Sequence, residues 1–265
     1  MTKIASIQMC SSASVDDNLT TAAQLIQKAA TNGAQLAVLP EMFSIIGKDP
    51  TDSLLYKEPF GCGKMQNFLA QTARDNNVWV VGGTIPIACE KGNKARAACL
   101  VFDNNGHLAG RYDKIHLFDA VISKAESYKE SDTMEPGNNA VVIETPFGKL
   151  GVAICFDLRF PELFTELTAK GAEFIAVPAA FTEKTGAAHW EILTRCRAID
   201  SFCYIIGATQ GGTHKNGRKT YGHAIVIDPW GQIMEENTTT GNALIYADIP
   251  LEKVYAARNC IPKKR

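Results

Sequence analysis

The sequence predicts an α/β protein in which two mixed sheets pack together with helices outside. Short apolar runs alternate with helix-period segments at both ends of the chain, and β-hairpin patterns are interleaved between them. No linker rich in Pro, Gly or Ser divides the 265 residues, and no tandem repeat is visible, so one domain spanning 1–265 is expected. At 46% hydrophobic and 21% charged residues, the chain can bury a large core.

Residues 3–9 alternate and are β-prone, a first strand. Asp16-Asp17-Asn18 opens a helical pattern that Asn32-Gly33 closes as a C-cap. Residues 36–39 form a second buried strand that stops at Pro40-Glu41. A helix through Met65, Phe68, Leu69 and Thr72 follows, then a strand over 78–81. Residues 97–102 and 107–112 flank Asp103-Asn104-Asn105-Gly106 as an antiparallel hairpin. Residues 113–140 read as a long irregular segment, and segments of that length are commonly functional. Strands over 141–143 and 150–154 come next, the second ending at Cys155. Pro161-Glu162 signals a helix start with Leu163, Phe164 and Leu167 at helical spacing, placing Cys155 where a buried strand hands over to a helix with backbone N–H groups pointing at it. A strand over 174–177 leads to a helix over 188–201, with Trp190, Leu193, Ala198 and Ile199 as core positions. Strands over 203–208, 224–227, 232–235 and 243–249 follow, the middle two as a hairpin, before a short charged helix from Pro250. Gly82-Gly83 and Gly211-Gly212 lack the strand–glycine–helix context of a phosphate loop and read as turns.

A net charge of -1 argues against nucleic acid or an anionic membrane as partner, and the basic tail at 263–265 is too short to alter that. No run approaches the ~18 apolar residues of a membrane-spanning helix, and the start lacks a signal peptide's apolar segment, so a cytoplasmic protein is expected. Eight cysteines without CxxC pairs read as reduced thiols rather than a disulfide framework or a zinc site.

Glu41, Lys114 and Cys155 share a grammar: each follows the end of a strand, where pockets form in α/β proteins. A carboxylate alone beside a thiol would raise its pKa, whereas an ammonium alongside reverses that effect and can bind an oxyanion. The carboxylate then serves as general base and later as proton donor to a leaving amine.

Leu39-Pro40-Glu41, Tyr112-Asp113-Lys114-Ile115-His116, Cys155-Phe156-Asp157-Leu158-Arg159-Phe160-Pro161-Glu162, and Tyr221-Gly222-His223-Ala224 ahead of Asp228-Pro229-Trp230-Gly231 resemble the carbon–nitrogen hydrolase (nitrilase) superfamily, in the right order and over essentially the whole chain. The resemblance implies a four-layer α-β-β-α sandwich, no metal or organic cofactor, and a homodimer or an assembly of dimers. By position it implies Glu41 as general base, Cys155 as nucleophile, Lys114 and the backbone N–H of Phe156 as oxyanion donors, and Glu130 as a second acid near the nucleophile. Glu126 lies off that spacing. Phenylalanine after the cysteine, where nitrilases carry tryptophan, favours amides over nitriles. Residues 181–191 and 197–204 resemble the subgroup acting on ω-amides of α-keto acids. Arg159 then contacts the substrate carboxylate, with Phe181 and Thr185 in the pocket; the competing reading for Arg159 is an ion pair with Asp157 or Glu162.

The resulting expectation is an amidase that splits the terminal amide of a small keto-acid amide, deaminated glutathione favoured, to carboxylate and ammonia through a cysteine thioester. An ω-amidase on α-ketoglutaramate and an N-carbamoyl hydrolase are the enzyme alternatives, and a non-catalytic scaffold is the alternative outside enzymology. His116 and His189 are packing or supporting residues rather than bases, His223 is a structural hydrogen-bond donor, and Lys114→Ala and Cys155→Ala are expected to abolish turnover with the fold intact.

Overall fold

In the computed structural model, which describes residues 1–124 and 126–262, the apolar runs become the strands of two sheets. The basic tail singled out at 263–265 lies outside the described residues. In chain order the regular elements are β1 (Thr2–Met9), α1 (Val15–Thr31), β2 (Leu36–Val38), α2 (Lys64–Asp75), β3 (Trp79–Val81), β4 (Ile85–Ala88), β5 (Ala95–Phe102), β6 (Leu108–Asp113), β7 (Asp119–Ser123), β8 (Glu126–Lys129), β9 (Val142–Thr145) and β10 (Gly148–Val152). They continue with α3 (Pro161–Ala169), β11 (Phe174–Ala179), α4 (Glu183–Ser201), β12 (Tyr204–Thr213), β13 (Lys219–Tyr221), β14 (Ile225–Ile227), β15 (Ile233–Glu236), β16 (Ala243–Ile249) and α5 (Glu252–Cys260).

The first sheet runs β16–β1–β2–β3–β5–β6, with β4 also on β5; β1, β2 and β3 are parallel and the rest antiparallel. The second runs β9–β10–β11–β12–β14–β15, parallel through its three central strands. The two join where Gln8 and Met9 of β1 pair with Thr209 and Gln210 of β12. Both sheets are mixed, as the alternation of patterns predicted.

The layers follow from the two-residue period of a strand. Ile4, Leu36, Val38, Trp79 and Val81 face the second sheet and pack with Leu150, Val152 and Phe174, while Ala5, Ile7, Ala37 and Val80 face Leu19, Ile26 and Leu69 of α1 and α2. Leu163, Phe164 and Leu167 of α3 and Trp190 of α4 close the far side of the second sheet, giving α-β-β-α. Burying one such side chain contributes roughly 1.5–3 kcal/mol, so hydrophobic burial decides the layering. Ser14 caps α1 by accepting from the Asp17 N–H, and Thr182 caps α4 by accepting from the Thr185 N–H.

The structure differs from the sequence expectations at several places. Residues 113–140 are not irregular throughout: β7 and β8 form a hairpin and Glu130–Asp132 a 3₁₀ turn. One face of β7 is exposed and the other only half-buried, so no hydrophobic period betrays it. The helix expected to begin at residue 188 begins at Glu183, because the Thr182 cap lies before a polar first turn without apolar period. Ile199, expected in the core, is 46% exposed, whereas Trp190 and Ala198 are buried. Gly211-Gly212 lies inside β12 rather than in a turn, and the short strands β4 and β13 had no clear pattern.

Gly83 fixes the chain beside Pro40-Glu41. It lies at φ +52, and a Cβ there would come within 2.1 Å of the Pro40 carbonyl oxygen. Gly83→Ala should cost roughly 2–4 kcal/mol, from overpacking against backbone together with a left-handed alanine. Urea unfolding measures this, and a loss below ~0.5 kcal/mol would show that the strand ends shift freely.

Candidate active site

Strand ends deliver the polar groups to one place. Beyond β2, the Leu39 N–H donates to the Val81 carbonyl (2.9 Å), the chain turns at Pro40, and Met42 adopts φ +56. The Met42 N–H donates to Thr84 Oγ1 (2.8 Å), and Gln210 of the second sheet donates to the Glu41 carbonyl (3.1 Å). Both sheets therefore clamp Glu41. Lys114 follows β6, its N–H donating to the Ala97 carbonyl (3.0 Å) and its carbonyl accepting from the Gly137 N–H (2.8 Å).

Cys155 follows β10 at φ +47, opening a 3₁₀ turn over Cys155–Arg159. A left-handed conformation costs a non-glycine residue about 1–2 kcal/mol. Asp157, fully buried, offsets this: its carboxylate accepts from the Ile154 N–H (2.8 Å), the Tyr112 hydroxyl (2.7 Å) and the His116 N–H (3.0 Å), and lies 2.7 Å from His116 Nδ1. Hydrogen bonds to a charged group contribute about 1.5–3 kcal/mol each, so the Asp157 network outweighs the strain. Helix α3 starts only at Pro161, so the turn, not the helix, presents the thiol. The backbone N–H that reaches the sulfur is that of Ala180, just beyond β11.

The buried Lys114 ammonium lies 2.7 Å from Glu41 Oε1 and 2.8 Å from Glu130 Oε2. Glu130 Oε2 also accepts from the Phe118 N–H (2.6 Å), which ties the β7–β8 segment to the lysine. The Glu41 carboxylate is near enough to the Cys155 thiol to bear on its ionisation. These four side chains line one cavity of about 910 Å³ together with Phe156, Arg159, Phe181, Thr185 and Arg218. The volume is at the upper end of ordinary small-molecule sites.

Burial works to lower the Lys114 pKa, but the carboxylates of Glu130 and then Glu41 outweigh it and hold the ammonium well above the ordinary lysine value. The Cys155 thiol is pushed well above the ordinary 9.0, first by burial and then by the Glu41 charge, against the opposing pull of Lys114 and the Ala180 N–H. The expectation that the ammonium would reverse the effect of the carboxylate is therefore corrected. Lys114 divides its charge between two carboxylates, and the resting sulfur is a thiol in the same cavity as Glu41.

Arg159 forms no ion pair with Asp157 or Glu162 among the described residues. Its guanidinium lies 5.7 Å from the Phe156 ring centre and 5.6 Å from that of Phe181, and one nitrogen is 3.2 Å from His189 Nδ1. Thr185 Oγ1 lies 2.8 Å from Thr182 Oγ1. His116 is stacked on Phe160 at 3.6 Å, and His223 lies 2.7 Å from Glu236, so neither belongs to the thiol. Glu126 also lines the cavity, accepting from the Tyr128 hydroxyl (2.9 Å). All eight cysteines are free. Among the described residues, no group of three or more His, Cys, Asp or Glu is arranged to hold a metal ion, and no helix is long and apolar enough to cross a membrane.

Sequence reasoning missed Asp157, Tyr112, Ala180 and Arg218. Asp157 and Tyr112 lie inside quoted motifs, and a carboxylate wedged among apolar residues was a readable signal; Ala180 acts through its backbone and had none.

The carbon–nitrogen hydrolase family model matches residues 3–259. The chain belongs to this family. It is 42% identical over 243 residues to deaminated glutathione amidase from Yersinia enterocolitica, covering 91% of this chain and 84% of that protein. It is 36% identical to the mouse (Mus musculus) omega-amidase NIT2, covering 98% of this chain and 92% of that one. Among solved structures it superposes on Saccharomyces cerevisiae Nit3, of branch 10 of the nitrilase superfamily, with TM-score 0.90 and 32% identity over 100% of this chain and 95% of that one. It also superposes on the C. elegans NitFhit protein, with TM-score 0.91 and 33% identity over 98% of this chain but only 63% of that longer one. The four layers of this carbon–nitrogen hydrolase are thus those of the nitrilase fold.

The pKa directions fix a stability window. Between 9.0 and its raised value, Cys155 stays protonated in the folded state while it ionises in the unfolded one. Lys114, also raised, contributes stability that is complete below the ordinary lysine value of 10.5 and is lost as pH rises through its folded value. In both cases the folded state holds more protons, so stability falls with rising pH. Urea unfolding from pH 8 to 11 should show this decline, and Cys155→Ala should make it shallower from about pH 9. An identical slope in the variant would contradict the assignment.

Proposed function

We propose that the chain is an amidase acting on small keto-acid amides through a Glu41–Lys114–Cys155 triad. The observation that carries this is the Lys114 ammonium held 2.7 Å from Glu41 and 2.8 Å from Glu130, in one cavity with the Cys155 thiol. The relatives' names, deaminated glutathione amidase and omega-amidase, support the substrate class.

The resting thiol sets the order of events. As the sulfur attacks the amide carbon, Glu41 takes its proton, so free thiolate never accumulates. The developing oxyanion is held by the Lys114 ammonium and the Phe156 N–H. Glu41 then returns the proton to the leaving nitrogen, which is ammonia from α-ketoglutaramate but, in place of the ammonia expected from the sequence, a peptide amine from deaminated glutathione. The remaining thioester is hydrolysed by water that Glu41, supported by Glu130, deprotonates; the keto acid leaves and the thiol is restored. Arg159 anchors the substrate carboxylate, with Phe181 and Thr185 shaping the pocket; its freedom from any carboxylate partner supports that role.

We further propose a cytoplasmic homodimer with one domain over 1–265. Pairing of the first strand with the last supports the single domain. Exposed Ile192, Ile199 and Trp230, on α4 and the adjoining β14–β15 turn, support a self-association face. The eight free thiols support a reducing compartment.

Cys155→Ala should abolish release of keto acid from both amides, and acid-quenched wild-type protein should show an acyl adduct at Cys155 by mass spectrometry. Wild-type protein that turns over neither substrate and forms no adduct would favour a non-catalytic scaffold. Glu41→Gln should lower kcat by about 10²- to 10⁴-fold. Arg159→Lys should raise KM roughly tenfold or more, because a point charge cannot replace a fork. Lys114→Ala should cost stability as well as activity, about 3–5 kcal/mol, because it strips the buried Glu41 and the partly buried Glu130 of their shared ammonium.

A further inference from the structure

Arg218 is a second guanidinium in the cavity with no carboxylate of its own. It lies between β12 and β13, one nitrogen donating to the Ala180 carbonyl (3.1 Å) and another reaching only the Met42 sulfur (3.6 Å). Its Nε–H is buried without a hydrogen-bond partner. The Tyr128 ring of β8 lies 5.2 Å beneath the guanidinium, and no ion pair joins it to Glu126 or any other acid among the described residues. A guanidinium carries five N–H donors in a fixed plane. Holding one against apolar and aromatic walls with donors unused is unfavourable unless an anion completes the site.

Arg159 and Arg218 occupy different walls. Arg159 touches Phe156, Phe181 and His189, whereas Arg218 touches Met42, beside the base Glu41, and Tyr128 on the β7–β8 hairpin. They meet only at the Ala180–Phe181 step, whose Ala180 N–H also reaches Cys155. Cys155 thus shares one cavity with two guanidinia that have different neighbours and, among the described residues, no carboxylate partner. A five-carbon keto-acid amide carries one carboxylate and leaves a cavity of about 910 Å³ largely unfilled.

We propose that Arg218 is a specificity-determining residue that binds a second carboxylate on the leaving-group side of the scissile amide. Resting on the amidase reading, this makes the preferred substrate a dicarboxylate, with the keto-acid end at Arg159 and a carboxylate-bearing amine at Arg218. The planar fork suits bidentate contact, and the guanidinium lies over the Tyr128 ring. Deaminated glutathione has this chemistry; α-ketoglutaramate lacks the second carboxylate.

The test compares Arg218→Gln and Arg218→Lys with wild type on both amides, following keto-acid release. The ratio of kcat/KM for deaminated glutathione over α-ketoglutaramate should fall about 100-fold in Arg218→Gln, mainly through KM, and be partly restored in Arg218→Lys. An equal loss on both substrates, or no loss, would overturn the proposal. Binding to Cys155→Ala protein separates this from failure of the amidase reading. Deaminated glutathione should bind there more tightly than α-ketoglutaramate by calorimetry, and Arg218→Gln should erase the difference. If wild type hydrolyses neither amide, the amidase reading fails, and the calorimetric difference alone decides the role of Arg218.

Discussion

One buried ammonium between two carboxylates organises this site. At an effective dielectric near 20, each close contact is worth about 4 kcal/mol, enough to offset the desolvation of Lys114. It ties together three separate pieces of chain: the end of β2 at Glu41, the end of β6 at Lys114, and the 3₁₀ turn after β8 at Glu130. Burial, and after it the Glu41 charge, disfavours ionisation of Cys155 despite the nearby ammonium. The sulfur is therefore kept as a thiol near its base, which makes proton removal part of the attack rather than a step before it.

The sheets supply the rigidity this arrangement demands. Gln8–Met9 of β1 pairs with Thr209–Gln210 of β12, and that junction lies next to Gln210, whose amide holds the Glu41 backbone. On the other side, Asp157 closes the nucleophile turn by engaging Tyr112 of β6, two residues before Lys114. Base, ammonium and thiol are thus linked by short covalent and hydrogen-bonded paths that cross between the sheets, so a shift of either sheet moves all three together.

The cavity walls are less committed than its floor. Arg159 and Arg218 are both held by aromatic faces and carbonyl or imidazole contacts instead of carboxylates, leaving their charge available to a ligand. Tyr128, Phe118 and Glu130 all come from the β7–β8 region, so the segment that completes the ammonium's coordination also shapes the pocket wall.

Much of the fold was legible in the sequence, because strand and helix periods report burial directly, as in the buried strands over 36–38 and 174–179. Glu41, Lys114 and Cys155 were recognisable as residue types at strand ends, while their roles and the places of Glu130 and Arg159 came only from the resemblance of the motifs to the carbon–nitrogen hydrolase family. What the sequence could not supply was charge balance and backbone direction. The protonation of Cys155 depends on its burial and then on the nearby Glu41 charge, which only the packing of the segments decides. The left-handed turn at Cys155, the Ala180 N–H and the unpaired Arg218 depend on which segments meet across the sheets, and no local pattern encodes that meeting.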